Sequence, residues 1–301
     1  MINSPGLGSL TQGQLDDWVV QAQTHTQEGK LPGYIPRLFQ ANPNSSAVQI
    51  QCLNGQIYSY GDITQPFVLM SVIKPFVLLF LLEHMGTEAV FKRVGMEPSD
   101  QAFNSLAQLE DDGGWPRNPM INSGAIALAS LLPSCEDFCN WLNQCSNASL
   151  VLDEQMLASV ISTGNQCNRS IAMMLAQFGH LNSPETALDI YNRICCLSGN
   201  VVDLAKLGML LADGSELISL SHSRTVNALM TTCGLYEASG RFAVRVGLPT
   251  KSGVSGAMLS IVPSQGAIAC YSPPLDPQGN SVAGLFLLEQ LARSLNLSVF
   301  S

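Results

Sequence analysis

Charge is scarce in this chain: Asp, Glu, Lys and Arg make up 12% of the 301 residues, and no basic run occurs. With 14 Lys and Arg against 23 Asp and Glu the formal net charge is −9, which argues against nucleic acid or an anionic membrane as partner and favours a small molecule. Histidine is equally sparse, with His25, His84, His180 and His222 scattered and no Cys-x-x-Cys present, so no metal site is expected. The nine cysteines are odd in number and sit among apolar residues (Cys195, Cys196, Cys270) or at helical spacing (Cys135, Cys139); they read as reduced core residues rather than a disulfide framework. The start, Met1 to Gly6, has neither a charged nor an apolar leader region, which sets the expectation of a cytoplasmic protein. Internal repeats and low-complexity linkers are also missing. A composition that is 46% hydrophobic allows a large core in one or two domains.

What is present is a serine and a lysine three residues apart, Ser71 and Lys74, at the head of the apolar segment from Gln65 to Phe80. A serine hydroxyl is a weak nucleophile at neutral pH, and a lysine one turn away can take its proton once burial has made the amine neutral. That spacing belongs to an acyl-transfer nucleophile and its base. Proline is tolerated only in the first turn of a helix, so Pro75 predicts a helix beginning near Ser71. Ser71 would then sit at the positive end of the helix with its own N–H unpaired and able to stabilise an oxyanion. A lone Ser-x-x-Lys also arises by chance, and the run from Val68 to Leu82 is apolar enough to suggest a membrane span. The run is short, contains Lys74 and is followed by Glu83 and His84, which favours a buried core helix.

Two strand-like runs, Ala47 to Cys52 and Gln56 to Tyr60, flank Leu53-Asn54-Gly55 and predict an antiparallel hairpin. Helical patterns follow at Gly124 to Leu132, Glu136 to Leu142, Ile171 to Phe178, Thr186 to Cys195 and Leu204 to Leu211. Strand patterns return at Arg241 to Val246, Ala257 to Val262 and Ala267 to Tyr271, and an amphipathic helix from about Ser281 to Leu295 ends the chain. The expected fold is α/β in the α+β sense: an antiparallel sheet flanked by helices and built from both chain ends, with a mainly helical subdomain between. The expected division is residues 1–70 with 231–301 for the sheet and 71–230 for the helices, forming one catalytic unit with the site between them.

Lys251-Ser252-Gly253 stands just ahead of a strand and supplies a cationic head, a hydroxyl and a glycine that permits close backbone approach. Of five lysines in the chain, Lys74 and Lys251 both lie in such boxes. Together the two boxes resemble the serine β-lactamase and penicillin-binding-protein superfamily. Longer blocks resemble serine-dependent glutaminases more narrowly: Gly33 to Leu38, Asn118 to Ile126, Cys233 to Tyr236, Gly247 to Val254 and Ser272 to Ser281.

The resemblance implies a β-lactamase/transpeptidase-like fold and hydrolysis of L-glutamine to L-glutamate and ammonia through a serine acyl-enzyme, without metal or organic cofactor. It implies Ser71 as nucleophile, Lys74 as its base, Tyr236 as proton relay, Lys251 as a further catalytic residue, and the backbone N–H groups of Ser71 and Val254 as oxyanion hole. Tyr34, Asn122, Asn168 and Tyr191, with Ser71, Tyr236 and Val254, would contact substrate. A homodimer or homotetramer is implied, and the stretch from Phe103 to Arg117 resembles the family's gating loop. On residue type alone, Tyr34 and Tyr191 read as core-edge tyrosines and Asn122 as a helix cap.

One position departs from the family. Val160 stands where a glutamate would meet the substrate's α-ammonium, and the segment from Ser159 to Asn168 is one residue longer. An uncompensated buried ammonium is costly, so either another carboxylate serves, Glu154 and Asp153 being nearest in sequence, or affinity is reduced. Compensation is the expectation, under which Val160→Glu would not improve glutamine binding. Rival readings are a β-lactam or D-Ala peptide acyltransferase on the same fold, and a non-catalytic amino-acid-binding protein. A nitrocefin assay separates the first rival, and ligand binding without ammonia release would support the second.

Overall fold

The computed structural model describes residues 6–163, 165–213 and 217–301, so the leader expectation on Met1 to Pro5 lies outside the described residues. In chain order the elements are α1 (Gln12–Thr24), α2 (Pro36–Phe39), β1 (Ala47–Cys52), β2 (Ile57–Gly61), β3 (Phe67–Val68), α3 (Lys74–Met85), α4 (Thr87–Phe91), α5 (Leu106–Asp111), α6 (Asn122–Ala129) and α7 (Cys135–Ser146). They continue with β4 (Val151–Leu152), α8 (Glu154–Ser162), α9 (Gln166–Gln177), α10 (Pro184–Cys195), β5 (Leu197–Gly199), α11 (Val201–Ala212) and α12 (Leu220–Cys233). The last are α13 (Ser239–Arg245), β6 (Thr250–Ser252), β7 (Ala257–Val262), β8 (Gly266–Tyr271) and α14 (Val282–Leu295).

Both chain ends build one five-stranded antiparallel sheet in the order β2-β1-β8-β7-β6. The hairpin forms as Asn54-Gly55 dictates, with Gly55 at φ 87° and Ala47 paired to Gly61. Strands β7 and β8 are buried on both faces, because α1 and α14 cover one side and α11 lies on the other. Gly208 makes the closer helix contact possible: a Cβ there would come within 2.6 Å of the Ala267 Cβ. A small second sheet, β3-β5-β4, ties the segment before Ser71 to the helical region, and Leu69 N–H donates to Leu197 O at 2.8 Å.

Helix α3 is apolar on every side, and Phe76 to Leu82 are all buried, so it forms the centre of the larger core rather than a surface element. No helix among the described residues is long and apolar enough to cross a membrane.

The strand expected at Arg241 to Val246 is instead the short helix α13. Its alternation is only six residues long, and the same spacing puts Phe242 and Val246 one helical turn apart against the smaller core while Val244 is 89% exposed. The Ser239 hydroxyl decides locally, accepting from Leu235 N–H at 3.0 Å and donating to Tyr236 O at 2.7 Å, which winds the chain into the turn that starts the helix.

Candidate active site

Ser71 sits on a 3-10 turn, Met70–Ile73, that runs directly into α3, with Pro75 in the first turn of the α-helix. The residue before it, Met70, is held at φ 48°, a conformation a bulky side chain seldom adopts, and it lines the cavity beside the serine. Tyr236, the head of another 3-10 turn, is held at φ 57°. Two strained residues flank one point in the fold.

A cavity of about 120 Å³ opens on Ser71 and is lined by Tyr34, Asn122, Asn168, Tyr191 and Val254, all of which the sequence pointed to. Lys74, Tyr236 and Lys251 lie outside that lining. Lys74 is 1% exposed and donates from Nζ to Met120 O at 3.0 Å and to Asn122 Oδ1 at 2.8 Å. Burial lowers its pKa from the usual lysine value to about 7. Lys251 is 0% exposed, donates to Ser252 O at 2.7 Å and sits 4.1 Å from the centre of the Tyr236 ring. Burial, and then the charge of Lys74, holds its pKa well below the ordinary range. Neither lysine has a carboxylate partner among the described residues.

Asn122 joins these groups. It begins α6 but makes no capping bond; its Oδ1 accepts from Lys74 and from Tyr191 Oη at 3.1 Å, and its Nδ2 donates to Asn168 Oδ1 at 2.8 Å. Tyr236 Oη is buried with no hydrogen-bond partner among the described residues, while the Ser71 and Ser252 hydroxyls lie near enough to oppose the rise that burial imposes on its pKa. The Phe103 ring packs on it with centroids 4.7 Å apart and forms part of the cavity wall.

Strand β6 brings Lys251-Ser252-Gly253 against the nucleophile. A Cβ on Gly253 would lie 2.6 Å from Leu69 O and 3.4 Å from Ser71 N, a closeness only glycine allows. Behind the strand, Ser252 Oγ donates to Asn280 Oδ1 at 2.6 Å, so the Ser272 to Ser281 stretch buttresses it. Neither the Ser71 N–H nor the Val254 N–H has a hydrogen-bond partner among the described residues.

Sequence reasoning passed over several wall residues, Ile35, Met70, Thr163, Asn165, Asn192 and Cys195, and knew Phe103 only as the start of the stretch resembling a gating loop. Asn192 adjoins Tyr191, and Cys195 follows one helical turn later on the same face of α10, which was the available signal. Burial lifts the Cys195 thiol to about 11, so it stays protonated and is no rival nucleophile. Two expected residues are not in the cavity. Glu154 lines a separate cavity of about 540 Å³ under α7 and α10, and the Asp153 carboxylate caps α8 by accepting from Met156 N–H at 2.8 Å. Neither is among the residues that line the Ser71 cavity, which corrects the expectation that either replaces the missing glutamate. Exposed Tyr34 stands at the mouth, between this cavity and an adjoining one of about 410 Å³ that shares Phe103 and Val254.

A sequence model of glutaminases matches residues 29–300. The chain belongs to the glutaminase family. It is 45% identical to a glutaminase of Synechocystis sp. over 94% of this chain and 89% of that protein. The solved structure of the probable glutaminase ybaS superimposes with a TM-score of 0.89 at 35% identity, covering 97% of this chain and all of that one. The Bacillus subtilis glutaminase YbgJ, solved as a covalent complex with 5-oxo-L-norleucine formed by reaction with 6-diazo-5-oxo-L-norleucine, superimposes with a TM-score of 0.86 at 30% identity, covering 95% of this chain and 99% of that one. The fold is accordingly β-lactamase-like, and the activity is that of an amidohydrolase acting on glutamine.

Proposed function

We propose that this glutaminase works through an acyl-enzyme on Ser71. The observation that carries the reading is the pair of free backbone N–H groups, Ser71 and Val254, brought together by the close approach of Gly253 beside a lysine whose burial favours the neutral amine. A neutral amine has two N–H donors and one lone pair. Met120 O and Asn122 Oδ1 use both donors of Lys74, which leaves the lone pair to take the Ser71 proton.

Ser71 Oγ then bonds to the side-chain carbonyl carbon of glutamine, and the oxyanion is held by the two N–H groups. The C–N bond breaks as ammonia leaves with a proton relayed by Tyr236, whose hydroxyl lies near those of Ser71 and Ser252 and whose ring rests against Lys251. Water releases glutamate by the same steps in reverse order. Burial, and then the charge of Lys74, holds Lys251 well below the ordinary lysine range, so the Lys251 amine against the Tyr236 ring can take part in the proton relay. Tyr34, Asn122, Asn168 and Tyr191 hold the α end of the substrate, with tyrosine and asparagine supplying convergent hydrogen bonds. The covalent adduct of the YbgJ relative with a glutamine analogue is in keeping with a nucleophilic route.

For its setting we carry forward a homodimer or homotetramer in the cytoplasm; the nine free thiols agree with a reducing compartment. The division into residues 1–70 with 231–301 and residues 71–230, with the site between, is likewise our reading; Ser71 and Gly253 come one from each. Ser71→Ala should abolish ammonia release by more than about a thousandfold while the protein stays folded, since the covalent route is gone. Wild-type turnover by a folded Ser71→Ala protein would refute the assignment.

A further inference from the structure

No Asp or Glu is among the described residues that line the Ser71 cavity. In the adjoining cavity Glu28 is paired with His25 at 2.8 Å, and Asp276 Oδ1 accepts from the N–H groups of Gln278 and Asn280 within its own turn. Beside Asn168, Tyr191 and Cys195, what α8, α9, α10 and their ends present to the Ser71 cavity is Val160, Thr163 and a pair of amides, with Asn165 Nδ2 donating to Asn192 Oδ1 at 2.7 Å. Such a pair leaves one carbonyl oxygen and further N–H donors unused, whichever way the two amides are turned. Asn165 stands at the N-terminus of α9 with φ 39°, where an asparagine side chain ordinarily accepts an N–H of the first turn. It makes no capping bond and reaches to α10 instead. The helix forgoes its cap, and the side chain is committed to the cavity wall.

We propose that Val160, Asn165 and Asn192 set specificity at the α-nitrogen of the substrate, reading it as a neutral hydrogen-bond donor rather than as a cation. The enzyme therefore also hydrolyses glutamines whose α-nitrogen is uncharged, the N-acyl-L-glutamines, giving N-acyl-L-glutamate and ammonia with water as the only other reactant. The proposal rests on the Ser71 reading above, which assigns the α end of the substrate to the asparagines and tyrosines of this wall. The cost of taking an ammonium out of water is offset most fully by a carboxylate close to it, and the described residues of this wall include none. An acylated nitrogen keeps one N–H and no charge, and the free carbonyl of the amide pair suffices for it. Thr163, at the edge of the same wall, is exposed, so the acyl group has solvent on that side.

The test is ammonia release from L-glutamine and from N-acetyl-L-glutamine by the wild type and by Val160→Glu and Asn192→Asp, each of which adds the missing carboxylate. The wild-type kcat/KM values for the two substrates should lie within about tenfold of each other, and at least one variant should move their ratio toward glutamine by about tenfold or more. A wild type that turns over glutamine but prefers it to the acetylated form by more than about a thousandfold overturns the proposal, as do unchanged ratios in both variants. Calorimetric binding of both compounds to Ser71→Ala reads the same preference without chemistry. Comparable affinities in binding, beside a folded Ser71→Ala protein that still releases ammonia at the wild-type rate, would condemn the Ser71 mechanism and sustain the specificity assignment. Binding of glutamine alone would overturn it.

Discussion

Lys74 has two nearest neighbours that can only accept, a backbone carbonyl and an amide oxygen, and no anion to hold its charge. Its conjugate acid is therefore destabilised by burial, and the working form is the free amine. Below about pH 7 the amine gains a proton and kcat/KM for glutamine should fall about tenfold per pH unit, which a pH–rate profile under chemistry-limited conditions reads directly. A rate that stays flat down to pH 5 would contradict it. Lys74→Arg keeps a cation at the position but cannot deprotonate there, so its ammonia release should drop by more than about a hundredfold at every pH. Asn122 was legible only as a position within a family block. Its place as the common partner of Lys74, Tyr191 and Asn168 depends on side chains from three helices, which local spacing does not convey.

Among elements, β6 and the turn before α3 have to meet within van der Waals distance, and Gly253 is the point of contact. Gly253→Ala would push its Cβ onto Leu69 O, separating the Val254 N–H from Ser71. The expected result is a fall in kcat of about a hundredfold with a smaller change in KM, because an oxyanion donor acts in the transition state. Equal losses in kcat and stability, read by thermal melting, would show a merely structural clash. The helix α13 teaches the limit of short periodicity. Arg241 to Val246 alternates like a strand, yet Ser239 and the preceding turn bind its first residues into a helix before any sheet neighbour is available. The hairpin of β1 and β2 was legible for the opposite reason, since Asn54-Gly55 encodes its turn locally.

At the scale of the molecule, two fully buried lysines without carboxylate partners among the described residues are a burden on stability that the apolar core must offset. Unfolded lysines hold their protons up to about pH 10. Folded Lys74 releases its proton near 7. Between these values the unfolded chain binds more protons, so this contribution raises stability from about pH 7 to about pH 10 and is constant below that window. Lys74→Met should melt at a higher temperature than the wild type at neutral pH and show a flatter rise through the window, while losing activity. A mutant less stable than the wild type at pH 7 would contradict that account.

The sequence by itself determined the local chemistry: a serine and lysine one turn apart, a proline that permits a helix only from that point, a glycine two residues after a lysine, and a turn that closes a hairpin. Each is a property of a few consecutive residues and survives reading in one dimension. The tertiary structure decided which distant groups became neighbours. It set Asn165 against Asn192, left Tyr236 Oη without a partner among the described residues, and kept Glu154 and Asp153 out of the lining of the Ser71 cavity. Those outcomes follow from how α8, α9 and α10 pack, because a side chain's partners are fixed by the helix faces that converge on it rather than by its neighbours along the chain.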